Sequence, residues 1–210
     1  SEPVEHVIAA LLCLCLKHRE TQAAAAEAEA VPTLVRALDT ATSFRIQGLL
    51  AATLRTLVVE HRRLQLAVAC HGAFPRLIEL AGSPDSIAQE QSVACIHTML
   101  DHPLVMEMFV SVEGVQALIR VVRCCRASDL ALTCACVGLR NLSGMEGPMR
   151  EMRRDPVLVS KLCLLARSSC QRLRVMATKL LQAVSPDAIK TRKLYYEALM
   201  PCLPSHTLQV

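Results

Sequence analysis

The sequence contains few aromatic side chains. Of its 210 residues none is Trp, two are Tyr and three are Phe, although hydrophobic residues make up 52% of the chain. Ala, Leu and Val therefore supply most of the apolar surface. Because Leu and Ala favour helices, and because β-rich domains use more aromatic residues and Thr, this composition predicts an all-α protein.

No apolar run is long enough for a membrane span. The nearest candidate runs from Val7 to Leu16 and is followed by three basic residues, whereas a transmembrane helix needs about 20 apolar residues. A secretory signal would place positive charge before such a run, but Glu2 and Glu5 precede this one. We therefore expect a soluble protein.

The motifs of metal sites and of common enzymes are also missing. The eleven cysteines include no CxxC pair, and the seven histidines have no metal-ligand spacing. No GxGxxG, GxxxxGK[ST], HExxH or GxSxG motif occurs. We expect no catalytic residue, metal, cofactor or small-molecule ligand. The cysteines are interpreted as reduced, small apolar residues in the core of a cytosolic protein.

An internal repeat is the main positive feature of the sequence. Five apolar segments end at positions 14, 57, 99, 142 and 184, which are separated by steps of 43, 42, 43 and 42 residues. A second apolar marker follows the first four of these positions by 16 or 17 residues, at Val31, Phe74, Val115 and Val159. Two series with one period indicate a repeat architecture.

Each repeat is predicted to contain three helices. The second helix has apolar residues at i, i+3, i+4 and i+7, with core leucines at Leu34, Leu77, Leu118 and Leu162. Gly72 and Gly114 precede it in the middle repeats, where glycine permits a positive φ or a close approach of two helices. The predicted units are 17–57, 60–99, 102–142 and 145–184, between partial repeats 3–16 and 186–210.

The segments AVPTLVRAL, GAFPRLIELAGSPD and ACVGLRNLSG resemble the armadillo repeat, a family found in many cytoplasmic and ciliary scaffolds. The resemblance covers nearly the whole chain and implies a right-handed α-solenoid of four full repeats between two partial ones. It also implies that the third helices line a concave groove where ligands bind. Since solenoid ends need polar caps, apolar Leu12 and Leu16 predict a fragment of a longer protein or an end that docks.

The groove positions differ from those of peptide-clamping armadillo proteins. Such proteins tend to repeat Asn one position before the end of the third helix, and Trp four residues earlier. This sequence keeps the Asn once, at Asn141, and has no Trp. The resemblance therefore does not imply binding of nuclear-localisation signals.

Basic residues recur one position earlier in the repeat. Arg55, His97 and Arg140 hold this position in three successive repeats, and Lys179 adds a fourth basic residue. We predict a groove for an acidic or amphipathic protein segment, with candidate contacts at Arg55, Thr56, His97, Thr98, Arg140, Asn141 and Lys179. The alternative is a solvated face whose long side chains only keep the solenoid soluble.

Charge is distributed unevenly along the chain. Residues 140–193 contain twelve Lys and Arg against four Asp and Glu, a net charge of +8, while the remainder has a net charge of −4. This asymmetry concerns the choice of partner and not the fold. Aromatic side chains that would stack on bases are missing from the basic clusters, so a nucleic-acid ligand is not expected.

The leading functional hypothesis is a protein–protein interaction scaffold in a cytoplasmic, cytoskeletal or ciliary assembly. It would bind a peptide, a helix or a neighbouring subunit on its concave face. Two alternatives remain. The first is a regulatory domain that holds the catalytic domain of a multidomain enzyme inactive, and the second is a chaperone cofactor that grips a folded domain.

Overall fold

Residues 30–186 are the described part of this computed structural model, and within them every regular element is an α-helix. In chain order these helices are α1 (Ala30–Thr40), α2 (Phe44–Val58), α3 (Arg62–Cys70), α4 (Ala73–Ala81), α5 (Ser86–Met99), α6 (Pro103–Ser111), α7 (Gly114–Arg123), α8 (Asp129–Leu142), α9 (Glu146–Arg154), α10 (Pro156–Leu165) and α11 (Gln171–Val184). The predicted helix end near Leu14, the partial repeat 3–16 and nearly all of the partial repeat 186–210 lie outside the described residues.

The third helices of the repeats end close to the predicted positions. Helices α5, α8 and α11 end at Met99, Leu142 and Val184, and α2 ends at Val58, one residue after the predicted Leu57. The first helices α3, α6 and α9 contain nine residues each. Within residues 30–186, the prediction of an all-helical repeat fold is confirmed.

Short polar side chains start three of the helices. Asp85 Oδ1 accepts a hydrogen bond from the Ala88 N–H at 2.8 Å, and Ser128 Oγ accepts one from the Ala131 N–H at 3.1 Å. Asp155 caps α10 in the same way. Because the first N–H groups of a helix have no partner within the helix, these caps fix where α5, α8 and α10 begin.

The turns before α4 and α7 use glycine in two different ways. Gly72 has a φ of 79°, which is the left-handed conformation that glycine adopts at low cost. At the equivalent turn Glu113 takes the positive φ of 59°. Gly114 instead lies against the ring of Phe109, whose Cε1 and Cε2 atoms are 2.5 Å from the position that a Cβ would occupy. The turn therefore needs glycine at 114 for space.

Equivalent helices of successive repeats stack side by side. Helix α5 packs between α2 and α8, and α8 packs against α11, so the third helices form one layer. The second helices form another layer, in which α4 contacts α1 and α7, and α7 contacts α10. Side-by-side stacking of this kind is what gives a solenoid one continuous core.

The core lies between these layers. Leu77, Leu118 and Leu162 are fully buried, and Leu34 is 6% exposed, as predicted for the second helices. Phe74 and Phe109 meet edge to face, with ring centroids 5.0 Å apart. Each repeat therefore contributes buried leucines at equivalent places, and the two phenylalanines fill the space between the second and third repeats.

Candidate functional site

The side of α2, α5, α8 and α11 that faces away from the second helices forms a continuous surface, which we call the third-helix face. Its side chains recur at spacings of three and four residues. On α5, for example, Ile87, Glu90, Ala94 and His97 follow this spacing, and all but Ala94 are exposed or half-buried. This spacing places them on one side of the helix.

The predicted basic residues lie on this face. Arg140 and Lys179 are exposed, and Arg55 and His97 are half-buried. Within residues 30–186, no ion pair includes Arg55, Arg140 or Lys179. The repeat period brings Arg55, His97 and Arg140 into register, and Lys179 lies three residues before the equivalent position on α11. The three Arg and Lys side chains therefore present positive charge on one face.

Thr56 and Thr98 contribute less polar surface to this face than the basic residues do. Thr56 is only 6% exposed, and its hydroxyl donates to the Ala52 carbonyl at 2.9 Å. Thr98 is half-buried, and its hydroxyl donates to the Ala94 carbonyl at 2.8 Å. Both hydroxyl protons are therefore used by the preceding turn of their own helix, as Thr commonly does inside helices.

Hydrogen bonds from Asn141 connect its repeat to the preceding one. Its Nδ2 donates to the Leu100 carbonyl at 3.3 Å and to Asp101 Oδ1 at 3.1 Å. Gln65 has a similar role in the second repeat, where its Nε2 donates to the carbonyls of Val58 and Thr98. The Asn141 amide N–H groups thus hold neighbouring third helices together.

Charges from distant repeats converge near His97. Burial lowers the pKa of His97, an effect that Asp101 and a hydrogen bond to the Ala94 carbonyl oppose. Arg172 on α11 and Arg55 on α2 reinforce the lowering. Residues 117 positions apart in the sequence therefore act on one imidazole, which lies on α5. Both arginines are close enough to His97 to affect its pKa.

Cys134 lies in the same region. Burial raises the pKa of its thiol, Glu90 raises it further, and Arg55 and Arg172 lower it. The Glu90 carboxylate itself accepts a hydrogen bond from Ser128 Oγ at 2.8 Å. The Glu90 carboxylate is therefore held next to Ser128, at the N-terminus of α8.

Apolar side chains at the other edge of the face were not predicted from the sequence. Ile87, Leu130 and Val175 are exposed apolar residues. Ile87 and Leu130 both stand twelve residues before the ends of their helices, whereas Arg172 has the same position on α11 and Val175 lies three residues further on. The repeat period at this position would have paired Ile87 with Leu130 but would not have identified Val175.

The described cysteines differ in burial, and Cys124, Cys163 and Cys170 are half-buried. Cys95, Cys134 and Cys136 are buried in the core, whereas Cys70 and Cys125 are exposed. The interpretation as core residues therefore describes the buried thiols and not the exposed ones. Three further cysteines, Cys13, Cys15 and Cys202, lie outside the described residues.

The described residues contain neither a metal-ligand cluster nor a membrane-spanning helix. Between residues 30 and 186, His, Cys, Asp and Glu side chains form no group of three or more that could hold a metal ion. In the same span no helix is both long enough and apolar enough to cross a membrane. An open cavity of about 560 Å³ lies where α4 and α7 meet the loops leading to α5 and α8, with Arg120, Cys124 and Arg126 in its lining.

Comparison with solved structures relates this architecture to known proteins. A designed armadillo repeat protein superimposes with a TM-score of 0.76 at 16% identity, over 86% of this chain and 75% of the other. Another, solved with the peptide (KR)4, gives a TM-score of 0.74 at 14% identity, over 96% of this chain and 85% of the other. The chain has the armadillo fold.

A natural protein shows the same likeness. The armadillo repeats only protein of Plasmodium falciparum gives a TM-score of 0.73 at 15% identity, over 86% of this chain and 80% of the other. No protein-family model and no curated protein matches the sequence. In the armadillo fold of this chain, the third-helix face is the surface that the resemblance predicted to be a groove.

Proposed function

We propose that this chain is a protein-interaction scaffold whose third-helix face binds an acidic segment of a partner protein. The observation that carries the proposal is the set of basic side chains on this face, in which Arg55, Arg140 and Lys179 carry the charge and His97 adds an imidazole. They come from four successive third helices. A surface of one charge attracts a partner of the opposite charge and selects against others.

The surrounding charges support this assignment. The ion pairs of the described residues that include arginine, Arg76–Glu79, Arg123–Asp155 and Arg150–Glu146, all lie on first and second helices and on the loops that flank them. The basic groups of the third-helix face thus remain available for carboxylates of a ligand. The designed protein solved with (KR)4 took a basic peptide, whereas the charge of this face favours an acidic one.

The setting that we propose is a reducing compartment such as the cytoplasm. Cys95, Cys134 and Cys136 occupy core positions as buried thiols, a use of cysteine that is common in cytosolic proteins. A scaffold role in a cytoplasmic or cytoskeletal assembly would suit an extended repeat surface.

The test begins with a partner isolated by affinity purification and then made in pure form. Its affinity is measured for the wild-type chain, for Arg140→Glu/Lys179→Glu, and for the control Arg63→Glu/Arg153→Glu. Both variants reverse two exposed charges, but Arg63 and Arg153 lie on first helices.

We expect the groove variant to bind at least about tenfold more weakly, because like charges brought together cost several kcal/mol. The control should bind as the wild-type chain does, and wild-type affinity should fall as salt rises. If both double variants keep their helical spectra and bind the partner with equal affinity, the partner does not bind this face.

A further inference from the structure

The third-helix face has an apolar edge opposite its basic edge. Ile87 is 66% exposed, Leu130 39% and Val175 38%. They come from three successive third helices, and each lies in the N-terminal half of its helix. Single exposed apolar residues are common on protein surfaces, but Ile87 and Leu130 hold equivalent positions on successive helices, and Val175 lies three residues beyond the equivalent Arg172 on α11. Such a cluster along one edge favours an apolar ligand surface.

The distance between the two edges matches the width of a helix. Ten residues separate Ile87 from His97, and ten separate Leu130 from Arg140. At a rise of 1.5 Å per residue, this spacing corresponds to about 15 Å along the third helices. An α-helix with its side chains is about 10–12 Å across. A helix lying across the third helices would therefore contact both edges.

Small side chains lie between the edges. Ala52 and Ala94 are 7% and 3% exposed, and the half-buried Val137 is the equivalent residue on α8. They hold equivalent positions of α2, α5 and α8, between the apolar and the basic positions, and Lys179 holds this position on α11. Residues of this size leave room for the side chains of a ligand helix to reach the backbone of the face.

The polar side chains of the face are poorly suited to an extended peptide. Such a peptide has free backbone N–H and C=O groups that need partners. The Asn141 amide N–H groups are already bound to Leu100 and Asp101, and the hydroxyls of Thr56 and Thr98 donate within their own helices. A helix satisfies its own backbone and does not need these groups.

Building on the proposed function, we infer that the acidic segment bound by this face is an amphipathic α-helix. Its apolar stripe packs on Ile87 and Leu130. Its acidic flank lies toward Arg55 and Arg140, where the charges are complementary, on either side of His97. The helix runs along the solenoid, across α2, α5, α8 and α11.

The experiment uses a random library of peptides, about five helical turns long, displayed on phage and selected on the full chain. Enriched peptides are synthesised, and their affinities are measured by fluorescence anisotropy. We expect apolar residues at helical spacing with Glu or Asp on an adjacent flank. A central proline should weaken binding by about 100-fold, because proline breaks a helix, while a proline at the first position should not.

Variants of the chain then locate the bound peptide. Ile87→Asn should weaken binding by about tenfold or more, since the peptide loses a buried apolar contact. The matched control is Leu164→Asn, because Leu164 is 64% exposed but lies on the second helix α10. This control should bind as the wild-type chain does.

The outcomes separate the two proposals. If the peptides bind as well with a central proline and with Ile87→Asn, yet bind more weakly to Arg140→Glu/Lys179→Glu, the helical ligand is overturned. The proposed binding of an acidic segment to the basic third-helix face would then remain. Peptides that respond to none of these changes would overturn both, and so would a selection that enriches no peptide.

Discussion

Burial gives the cysteine residues of this protein very different reactivities. It raises the pKa of Cys95 and of Cys136 to about 12, and the thiolate is the form that reacts. Cys70 and Cys125 are exposed on the surface. We expect iodoacetamide at about pH 8 to alkylate Cys70 and Cys125 in the folded protein and to leave Cys95 and Cys136 unmodified.

Peptide mapping by mass spectrometry provides the measurement. The unfolded chain in urea serves as the control, since all four thiols should then react. If Cys95 is alkylated as fast as Cys70 in the absence of urea, Cys95 on α5 is not buried in the core as described.

The half-buried imidazole of His97 should make stability depend on pH. An ordinary His has a pKa of about 6.5 in the unfolded chain, and burial lowers the pKa of His97 in the folded one. Between these two values the unfolded chain binds more protons. His97 therefore reduces the free energy of unfolding as pH falls below about 6.5, until the pKa of the folded state is passed.

Replacing His97 by Gln removes this proton uptake. We expect His97→Gln to lose less stability than the wild-type chain on acidification from about pH 7 to pH 5, measured by urea unfolding at each pH. Both proteins have the same carboxylates. The difference between their two curves of unfolding free energy against pH therefore gives the contribution of His97. Parallel curves would contradict the lowered pKa.

Individual residues also show how far sequence alone could define the site. One period aligned Arg55, His97 and Arg140, and helical spacing added Lys179, three residues before the equivalent position on α11. This sufficed to predict that the four share a face. The inward hydrogen bonds of Asn141 could not be predicted in this way, because its partners Leu100 and Asp101 belong to the preceding repeat. The burial of Thr56 likewise depends on how closely α2 and α5 pack.

At the scale of the helix, the turn between α6 and α7 is sensitive to a single methyl group. A Cβ on Gly114 would overlap the ring of Phe109, which is fully buried. We expect Gly114→Ala to lower the free energy of unfolding by about 1–3 kcal/mol, as overpacking usually does. Gly144→Ala is the control, since no atom lies within 4 Å of the added methyl group. Equal stability of the two variants in urea would mean that Phe109 can move aside.

The second helices should be equally sensitive to loss of volume. Leu77 on α4 and Leu118 on α7 are fully buried. Changing either to Ala should cost about 2–5 kcal/mol, through lost burial and the cavity that remains. Leu164→Ala on the exposed side of α10 should cost less than about 0.5 kcal/mol. A loss below that value at Leu77 or Leu118 would place them outside the core.

Helix ends were predictable to different degrees. The ends of the third helices followed from apolar residues that recur every 42 or 43 positions. The turns after α2 and α6 place Glu60 and Glu113 at a φ of 59°, a conformation for which glycine is the usual signal. Without that signal, sequence could not show which residue takes the left-handed conformation.

At the scale of the whole molecule, the stacked layers explain why one fold presents a long continuous face. Each third helix packs against the next, so α2, α5, α8 and α11 hold equivalent positions in register. A side chain that recurs with the repeat period becomes a row on the surface. The row of Arg55, His97 and Arg140 and the pair of Ile87 and Leu130 both arise in this way, so the proposed helical ligand would contact several repeats at once.

The same arrangement should make unfolding local. In a solenoid, the stability of a repeat depends mainly on its own core and on the interfaces with its neighbours. Leu162 is fully buried on α10, in the fourth repeat. We expect Leu162→Ala to speed hydrogen exchange in α9, α10 and α11, to affect α8 less, and to leave α1 and α2 unchanged.

Hydrogen exchange followed by mass spectrometry distinguishes this from global unfolding. Leu164→Ala changes the same helix on its exposed side and should leave every helix unaffected. If Leu162→Ala speeds exchange in α1 and α2 as much as in α11, the repeats unfold as a single cooperative unit. The coupling across the third-helix face would then be strong enough for a ligand at one end to stabilise the other.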